Sequence, residues 1–123
     1  MALPIENFHT VEDIYKLPDG KRAELIDGCI YDMAPPGTTH QRILSYLHAS
    51  IFNYISSHNG NCEVFPSPFA VFLNKDDFTY VEPDISVVCD KNKLDQKGCH
   101  GAPDWVIEIV SPGSRHMDYF TKL

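Results

Sequence analysis

The chain has 123 residues, of which 43% are hydrophobic, and a formal net charge of −7. This length and apolar content fit one domain, residues 1–123, with a buried core. The acidic balance argues against simple electrostatic binding of nucleic acid, which needs Lys and Arg to displace counterions. It does not exclude a nuclease, because a metal ion neutralises the acids around it. Binding surface can also come from a second copy, so a homodimer stays open.

Three features bear on where the protein resides. The chain has no run of about 18 apolar residues, so we expect no contact with a membrane. Residues 1–7 have neither a basic start nor an apolar core, so no secretory signal is expected. The four cysteines form no C-x-x-C pair. Without a signal they favour reduced thiols over disulfides, and we predict a cytoplasmic protein.

The N-terminal part predicts a short helix followed by a β-hairpin. Thr10 can cap the helix, with Asp13 as a shorter version of the capping box. Residues 22–33 are typical of a hairpin. Both positions of Asp27-Gly28 tolerate the positive φ of a type I′ turn, so the hairpin should turn there.

A second, longer helix is predicted from Thr38 or Thr39, either of which can cap it, to about Ser57. Apolar residues recur in it at spacings of three and four, which is the pattern of an amphipathic helix. The stripe consists of Ile43, Leu44, Leu47, Ile51, Tyr54 and Ile55. Asn59-Gly60 should end this helix.

Two short apolar segments in the C-terminal half each hold one acid at a position where packing alone would favour Val or Ile. Residues 79–89 contain Asp84, residues 104–110 contain Glu108, and both have the composition of strands. The second segment is otherwise largely apolar, so we expect it to be central and covered on both faces, with Trp105 in the core. Residues 90–102, which lie between them, predict a polar loop.

The remaining segments predict a bent strand and an unfinished helix. Residues 62–73 have strand composition but contain Pro66 and Pro68, which favours an edge position or a bend. A turn at 111–114 precedes a helix that Ser114 can cap. The chain ends after about two turns of this helix. We therefore expect a domain that is truncated at its C-terminus.

The two acids suggest a metal site. A carboxylate among buried strand residues is costly without a partner, and a divalent cation is a common one. If the strands are neighbours, Asp84 and Glu108 can share Mg²⁺ or Mn²⁺, with the Ile109 carbonyl as a third ligand. Alternatively, both acids face solvent at sheet edges. This alternative is stronger for Asp84, since Pro-Asp is common in turns, than for Glu108, which has apolar residues on both faces.

The motifs around these acids resemble a known family. VEPDISVVCD at 81–90, GAPDWVIEIVSP at 101–112 and Asp118-x-x-x-Lys122 are similar to the Uma-type restriction endonucleases of the PD-(D/E)XK nuclease superfamily. AELIDG at 23–28 and MAPP at 33–36 fit the same family. The resemblance implies an α/β (α+β) fold, a mixed central sheet flanked by helices. It also implies metal-dependent hydrolysis of DNA phosphodiester bonds.

The resemblance assigns roles to individual residues. Asp84 would be the first metal-binding acid and Glu108 the second, and Glu24 would help to complete the metal shell. The superfamily usually has a Lys two positions after the second acid, but this chain has Val110 there. A Lys on the following helix takes the role in Uma-type proteins, which points to Lys122 as the group that orients or deprotonates the attacking water.

Two alternatives stay open. Val110 at the usual Lys position and the acidic charge favour a non-catalytic nuclease-fold domain that acts in assembly or nucleic-acid binding. His40 matches a family position at the start of the long helix. It either reaches the substrate or metal shell there, or makes a local hydrogen bond.

Overall fold

The computed structural model describes residues 8–74 and 76–110. Its strands form three sheets, ordered β1-β2, β3-β5-β8 and β4-β7-β6, and its architecture is α+β, as predicted. The elements in chain order are α1 (Val11–Tyr15), β1 (Ala23–Ile26), β2 (Cys29–Asp32), α2 (Thr38–Ser57), β3 (Glu63–Pro66), β4 (Val71–Phe72), β5 (Ile85–Val88), β6 (Leu94–Asp95), β7 (Gly98–His100) and β8 (Trp105–Ile107).

The predicted short helix and hairpin are both present. The backbone N–H of Thr10 donates to Asp13 Oδ2 at 2.9 Å, which is one half of the expected capping box. β1 and β2 pair antiparallel around the turn, where φ is +49° at Asp27 and +82° at Gly28. A Cβ at Gly28 would collide with the Phe8 ring, so the position needs glycine for space as well as for conformation.

α2 confirms the long helix but begins one or two residues earlier than the predicted caps implied. Gly37, with extended backbone, is the N-cap, and both threonines proposed as caps are already helical. The helix closes at Asn59, whose φ is +52°. The side chains that pack on the sheet are Leu44, Leu47, Ile51 and Ile55.

Two residues of the predicted apolar stripe lie at the edge of the buried face of α2. Ile43 is 42% exposed and Tyr54 is 65% exposed. The Tyr54 ring stacks on His58, with 4.0 Å between ring centroids, and does not reach the sheet. The stripe is therefore narrower than its periodicity implied.

β5 is the middle strand of its sheet and is buried along its whole length. It pairs antiparallel with β3 and with β8, and Ile85 lies opposite Ile107. Within the described residues β8 has β5 alone as a sheet neighbour, so the expected central position is wrong there. Trp105, expected in the core, is 52% exposed because its strand lies at that edge.

The polar segment 90–102 was predicted to be a loop, and this is wrong. It contains a 3-10 helix at Lys91–Lys93 and strands β6 and β7. β7 pairs antiparallel with β6 and parallel with β4, and this buries Cys99 completely against Val71 and Val88. A few apolar side chains among many polar ones were enough to build strands.

The proline-interrupted segment 62–73 is bent, as predicted, into two strands of different sheets. β3 lies beside β5, and β4 lies beside β7. β3 also places Cys62 opposite Cys89, one residue beyond the Glu63–Val88 pair, and the two cysteines form a disulfide. Cys29 and Cys99 are free thiols. The expectation that all four cysteines are reduced is therefore wrong.

The core consists of three clusters of apolar side chains. One joins α1 to the hairpin, one lies between α2 and the β3-β5-β8 sheet, and one lies between that sheet and the β4-β7-β6 sheet. None of the described helices is both long enough and apolar enough to cross a membrane. The middle cluster matters most for the site, because it fixes α2 against the strands that carry the two acids.

Candidate active site

Asp84 and Glu108 meet at one end of the β5-β8 pair. Asp84 directly precedes β5 and Glu108 directly follows β8, so the antiparallel register brings the two positions opposite each other. The backbone N–H of Asp84 donates to Glu108 Oε1 at 3.0 Å. The backbone N–H of Ile109 donates to Asp84 Oδ2 at 2.7 Å. Each acid is therefore held by the strand that carries the other.

His40 contacts the same acid from α2. Its Nε2 lies 3.1 Å from Asp84 Oδ1, and the two side chains are only 15% and 14% exposed. His40 is the third residue of α2, so the first turn of a 20-residue helix lies beside the carboxylates. The positive end of the helix dipole favours negative charge at that place. Its Nδ1 also bonds to Gln41 Oε1 at 3.0 Å, so His40 makes both the expected local hydrogen bond and the contact with the acid.

Glu24 approaches from the hairpin. It lies in β1 and is 3% exposed. Its Oε2 accepts the backbone N–H of Glu82 at 2.8 Å, two residues before Asp84. The hairpin is brought to this segment by Leu25, whose backbone N–H and C=O both bond to Tyr80 at 2.7 Å. Glu24 is thus close in the fold to the acids with which the sequence grouped it.

Glu82 is a further acid at the site that the sequence did not single out. Arg22 Nε donates to Glu82 Oε1 at 2.9 Å, and Arg22 Nη2 lies 2.9 Å from the same oxygen. The Tyr80 hydroxyl donates to Glu82 Oε2 at 3.0 Å. Burial foremost, and then the charge of Glu82, raise the pKa of Tyr80 well above its ordinary value. A signal was present in the sequence, since Glu82 directly precedes the Pro-Asp pair.

The donor types at the site fit a hard divalent cation. Carboxylate oxygens of Asp84 and Glu108 and the backbone carbonyl of Ile109 are the oxygen ligands that Mg²⁺ and Mn²⁺ prefer, and His40 adds a nitrogen that Mn²⁺ accepts. In the part of the chain that the structure describes, no three such side chains are already spaced to hold a metal ion. The Ile109 contact present is that of its N–H.

The remaining predicted features of the site are Lys122, the turn at 111–114 and Val110. Lys122 and the turn at 111–114 lie outside the described residues. Val110, at the usual Lys position of the motif, is 37% exposed, so a longer side chain has room there.

A cleft of about 510 Å³ lies elsewhere, between α1 and His100. Its walls include Tyr15 and Phe72, and none of the acids described above lines it. The cleft and the acid cluster are separate features. The arrangement of acids, and not the size of a pocket, therefore marks the candidate active site.

Comparisons with known proteins bear on the family and the fold. The family model Uma2, described as "Putative restriction endonuclease", matches residues 6–123. A crystal structure of a putative nuclease belonging to DUF820 from Anabaena variabilis ATCC 29413 is similar, with a TM-score of 0.65 and 26% sequence identity. The match covers 85% of this chain and 59% of that chain, so this chain spans little more than half of that nuclease. No curated protein matches. The family resemblance and the fold class expected from the sequence are confirmed.

Proposed function

Because the chain belongs to the Uma2 family of restriction-endonuclease-like proteins, we propose that it is a metal-dependent endonuclease that hydrolyses DNA phosphodiester bonds. One observation carries the proposal: Asp84 and Glu108 lie at adjacent strand ends and are bonded to each other's strands. Packing alone gives no reason to place two carboxylates side by side at a half-buried strand end. A shared cation gives one.

The residues would divide the work as follows. Asp84 and Glu108 would hold Mg²⁺ or Mn²⁺, with the Ile109 carbonyl as a third ligand. The chemistry that a bound cation would supply is polarisation of the phosphodiester and a lowered pKa of a bound water. The Ile109 N–H and His40 orient the Asp84 carboxylate, and the Asp84 N–H orients Glu108.

Two further residues would complete the site. Lys122 would orient or deprotonate the attacking water and offset charge in the transition state. Glu24 would help to complete the metal shell from its buried position in β1. Val110 cannot replace the lysine, because it has neither a charge nor a proton to exchange.

The charge at the site makes a cation necessary for contact with DNA. Four carboxylates, those of Glu24, Glu82, Asp84 and Glu108, are grouped there, and Arg22 is bonded to one of them. A phosphodiester would be repelled by this group unless a divalent cation lay between them. The chain as a whole carries −7, so a second copy in a homodimer would be one source of positive binding surface.

Calorimetry of metal binding tests the site. Wild-type protein should bind Mn²⁺, and Asp84→Asn and Glu108→Gln should weaken that binding at least tenfold, since each removes one charged ligand. Glu63→Gln is the matched control, because Glu63 is a half-buried acid on β3 whose ion pair with Lys91 measures 3.7 Å. Equal Mn²⁺ affinity in all four proteins would refute the metal site.

Plasmid cleavage with Mg²⁺ or Mn²⁺ tests the reaction. The wild type and Glu63→Gln should nick the plasmid, and Glu108→Gln should not. Equal cleavage by Glu108→Gln would mean that a contaminating nuclease is responsible and would remove the support for this site.

A second function is favoured by one observation, which is Val110 at the position that usually holds the lysine. In that case the domain keeps the fold for assembly or nucleic-acid binding without catalysis. DNA retention in a gel-shift assay with Ca²⁺, together with no cleavage in Mg²⁺ or Mn²⁺, would support this second function over the first.

A further inference from the structure

The main chain at Glu82-Pro83-Asp84 is held at both of its N–H groups by carboxylates. Glu24 Oε2 accepts the N–H of Glu82 at 2.8 Å, and Glu108 Oε1 accepts the N–H of Asp84 at 3.0 Å. Pro83 between them has no N–H to bond. The direction in which the Asp84 side chain leaves the backbone therefore depends on how firmly this short segment is held.

The side chain of Glu82 provides a third attachment for the segment. It is 12% exposed. One carboxylate oxygen makes both contacts with Arg22, and the other accepts a hydrogen bond from the Tyr80 hydroxyl. Arg22 is 60 residues away in sequence and directly precedes β1. A carboxylate bonded to a guanidinium is among the stronger fixed contacts in a protein. Glu82 thus ties the segment to the hairpin that carries Glu24.

We propose that Glu82 is a positioning residue, whose carboxylate holds Asp84 at the place where it meets Glu108. Its carboxylate is bonded to the Arg22 guanidinium, whose positive charge opposes a cation there, so it acts through the backbone and not as a metal ligand. Its effect on metal binding rests on the proposed function. Its effect on the position of Asp84 does not, and the two can be measured apart.

The alternative is that Glu82 only adds stability to the hairpin. In that case its loss would lower protection against hydrogen exchange throughout the fold. A positioning role instead predicts a local effect at the two amides that join Asp84 to its partners, which are those of Asp84 and Ile109. Hydrogen exchange of single amides, followed by NMR without metal, separates the two cases.

The variants are Glu82→Gln, which removes the charge at nearly constant shape, and Tyr80→Phe, which removes one donor and keeps the ring. Glu63→Gln is the control, as before. In Glu82→Gln the amides of Asp84 and Ile109 should exchange about tenfold faster, the loss expected for one charge-assisted hydrogen bond. The Ile51 amide, which lies within α2 and beside the cluster between that helix and the β3-β5-β8 sheet, should not change.

Each result has a defined meaning. Tyr80→Phe should shift the same two amides in the same direction by a smaller factor, and it carries the test if Glu82→Gln does not fold. Equal acceleration at Ile51, or no acceleration at Asp84 and Ile109, would overturn the positioning role.

Mn²⁺ calorimetry then links this role to the proposed function. If the wild type binds Mn²⁺, Glu82→Gln should bind it about tenfold more weakly, and unchanged affinity would overturn the link. If the wild type binds no Mn²⁺, the proposed function fails, and the exchange data still decide on Glu82.

Discussion

Ser86 provides a sharp test of how the strand that follows Asp84 is stabilised. It lies in the middle of β5, opposite Phe65 on β3 and Val106 on β8, and is completely buried. Its Oγ has no hydrogen-bond partner among the described residues. A buried hydroxyl without a partner costs about 1–3 kcal/mol. We therefore expect Ser86→Ala to stabilise the protein by about 1 kcal/mol, after allowance for the small cavity that the change leaves.

Thr79 is the matched comparison, because it is a hydroxyl residue that is 3% exposed and has partners. Asn74 Nδ2 donates to Thr79 Oγ1 at 3.2 Å, and the backbone N–H of Asp27 donates to it at 3.4 Å. Thr79→Val keeps the shape and removes both bonds. It should cost about 1 kcal/mol, since the two freed donors are on exposed residues that water can reach.

Urea unfolding followed by circular dichroism measures both changes. The two midpoints should move in opposite directions with unchanged m-values, so that the free energies of unfolding differ by about 2 kcal/mol. If Ser86→Ala lowered the free energy of unfolding by more than 1 kcal/mol, its hydroxyl would have a partner, and the argument from burial would be refuted.

Three other predictions concern pH, redox state and catalysis. Burial raises the pKa of Tyr80 above its ordinary 10.0, so the neutral phenol stabilises the fold fully below that pH, and this contribution is lost as pH rises through the raised pKa. Tyr80→Phe should therefore flatten the alkaline decline of stability in urea unfolding. The Cys62–Cys89 disulfide has a sequence separation of 27, so its reduction should cost about 3.5 kcal/mol. In a variant with both of these cysteines changed to Ser, reductant should leave the urea midpoint of unfolding unchanged. If reductant also left the wild-type midpoint unchanged, the disulfide would be contradicted. Lys122→Met should slow plasmid cleavage about 100-fold, and adding Val110→Lys should restore part of it. Undiminished cleavage by Lys122→Met would exclude the lysine from the reaction.

The elements that depend on local sequence were predictable. The turn at Asp27-Gly28 needs positive φ at two successive residues, which few residue pairs tolerate, and the hairpin follows from it. α2 follows from periodicity, and its end follows from Asn59. These features require no knowledge of what lies across the fold.

The features that depend on register were predicted less well. The Cys62–Cys89 disulfide follows from the alignment of β3 with β5, which no local pattern specifies. The exposure of Trp105 depends on which strands lie beside β8. The contact of Glu82 with Arg22 joins residues far apart in sequence. Each of these outcomes is fixed by packing between segments, whereas composition describes each segment alone.

The predicted acids share a feature that the sequence could not indicate. Glu24, Asp84 and Glu108 each use one carboxylate oxygen to accept a backbone N–H from a neighbouring segment. Such a bond fixes the plane and direction of a carboxylate at a strand end, where a free side chain would sample several rotamers. If these acids bind a cation, as proposed, fixing them in advance would lower the entropy that binding costs. The same bonds tie β1, β5 and β8 together, so a single change at any of the three acids should affect the position of the other two.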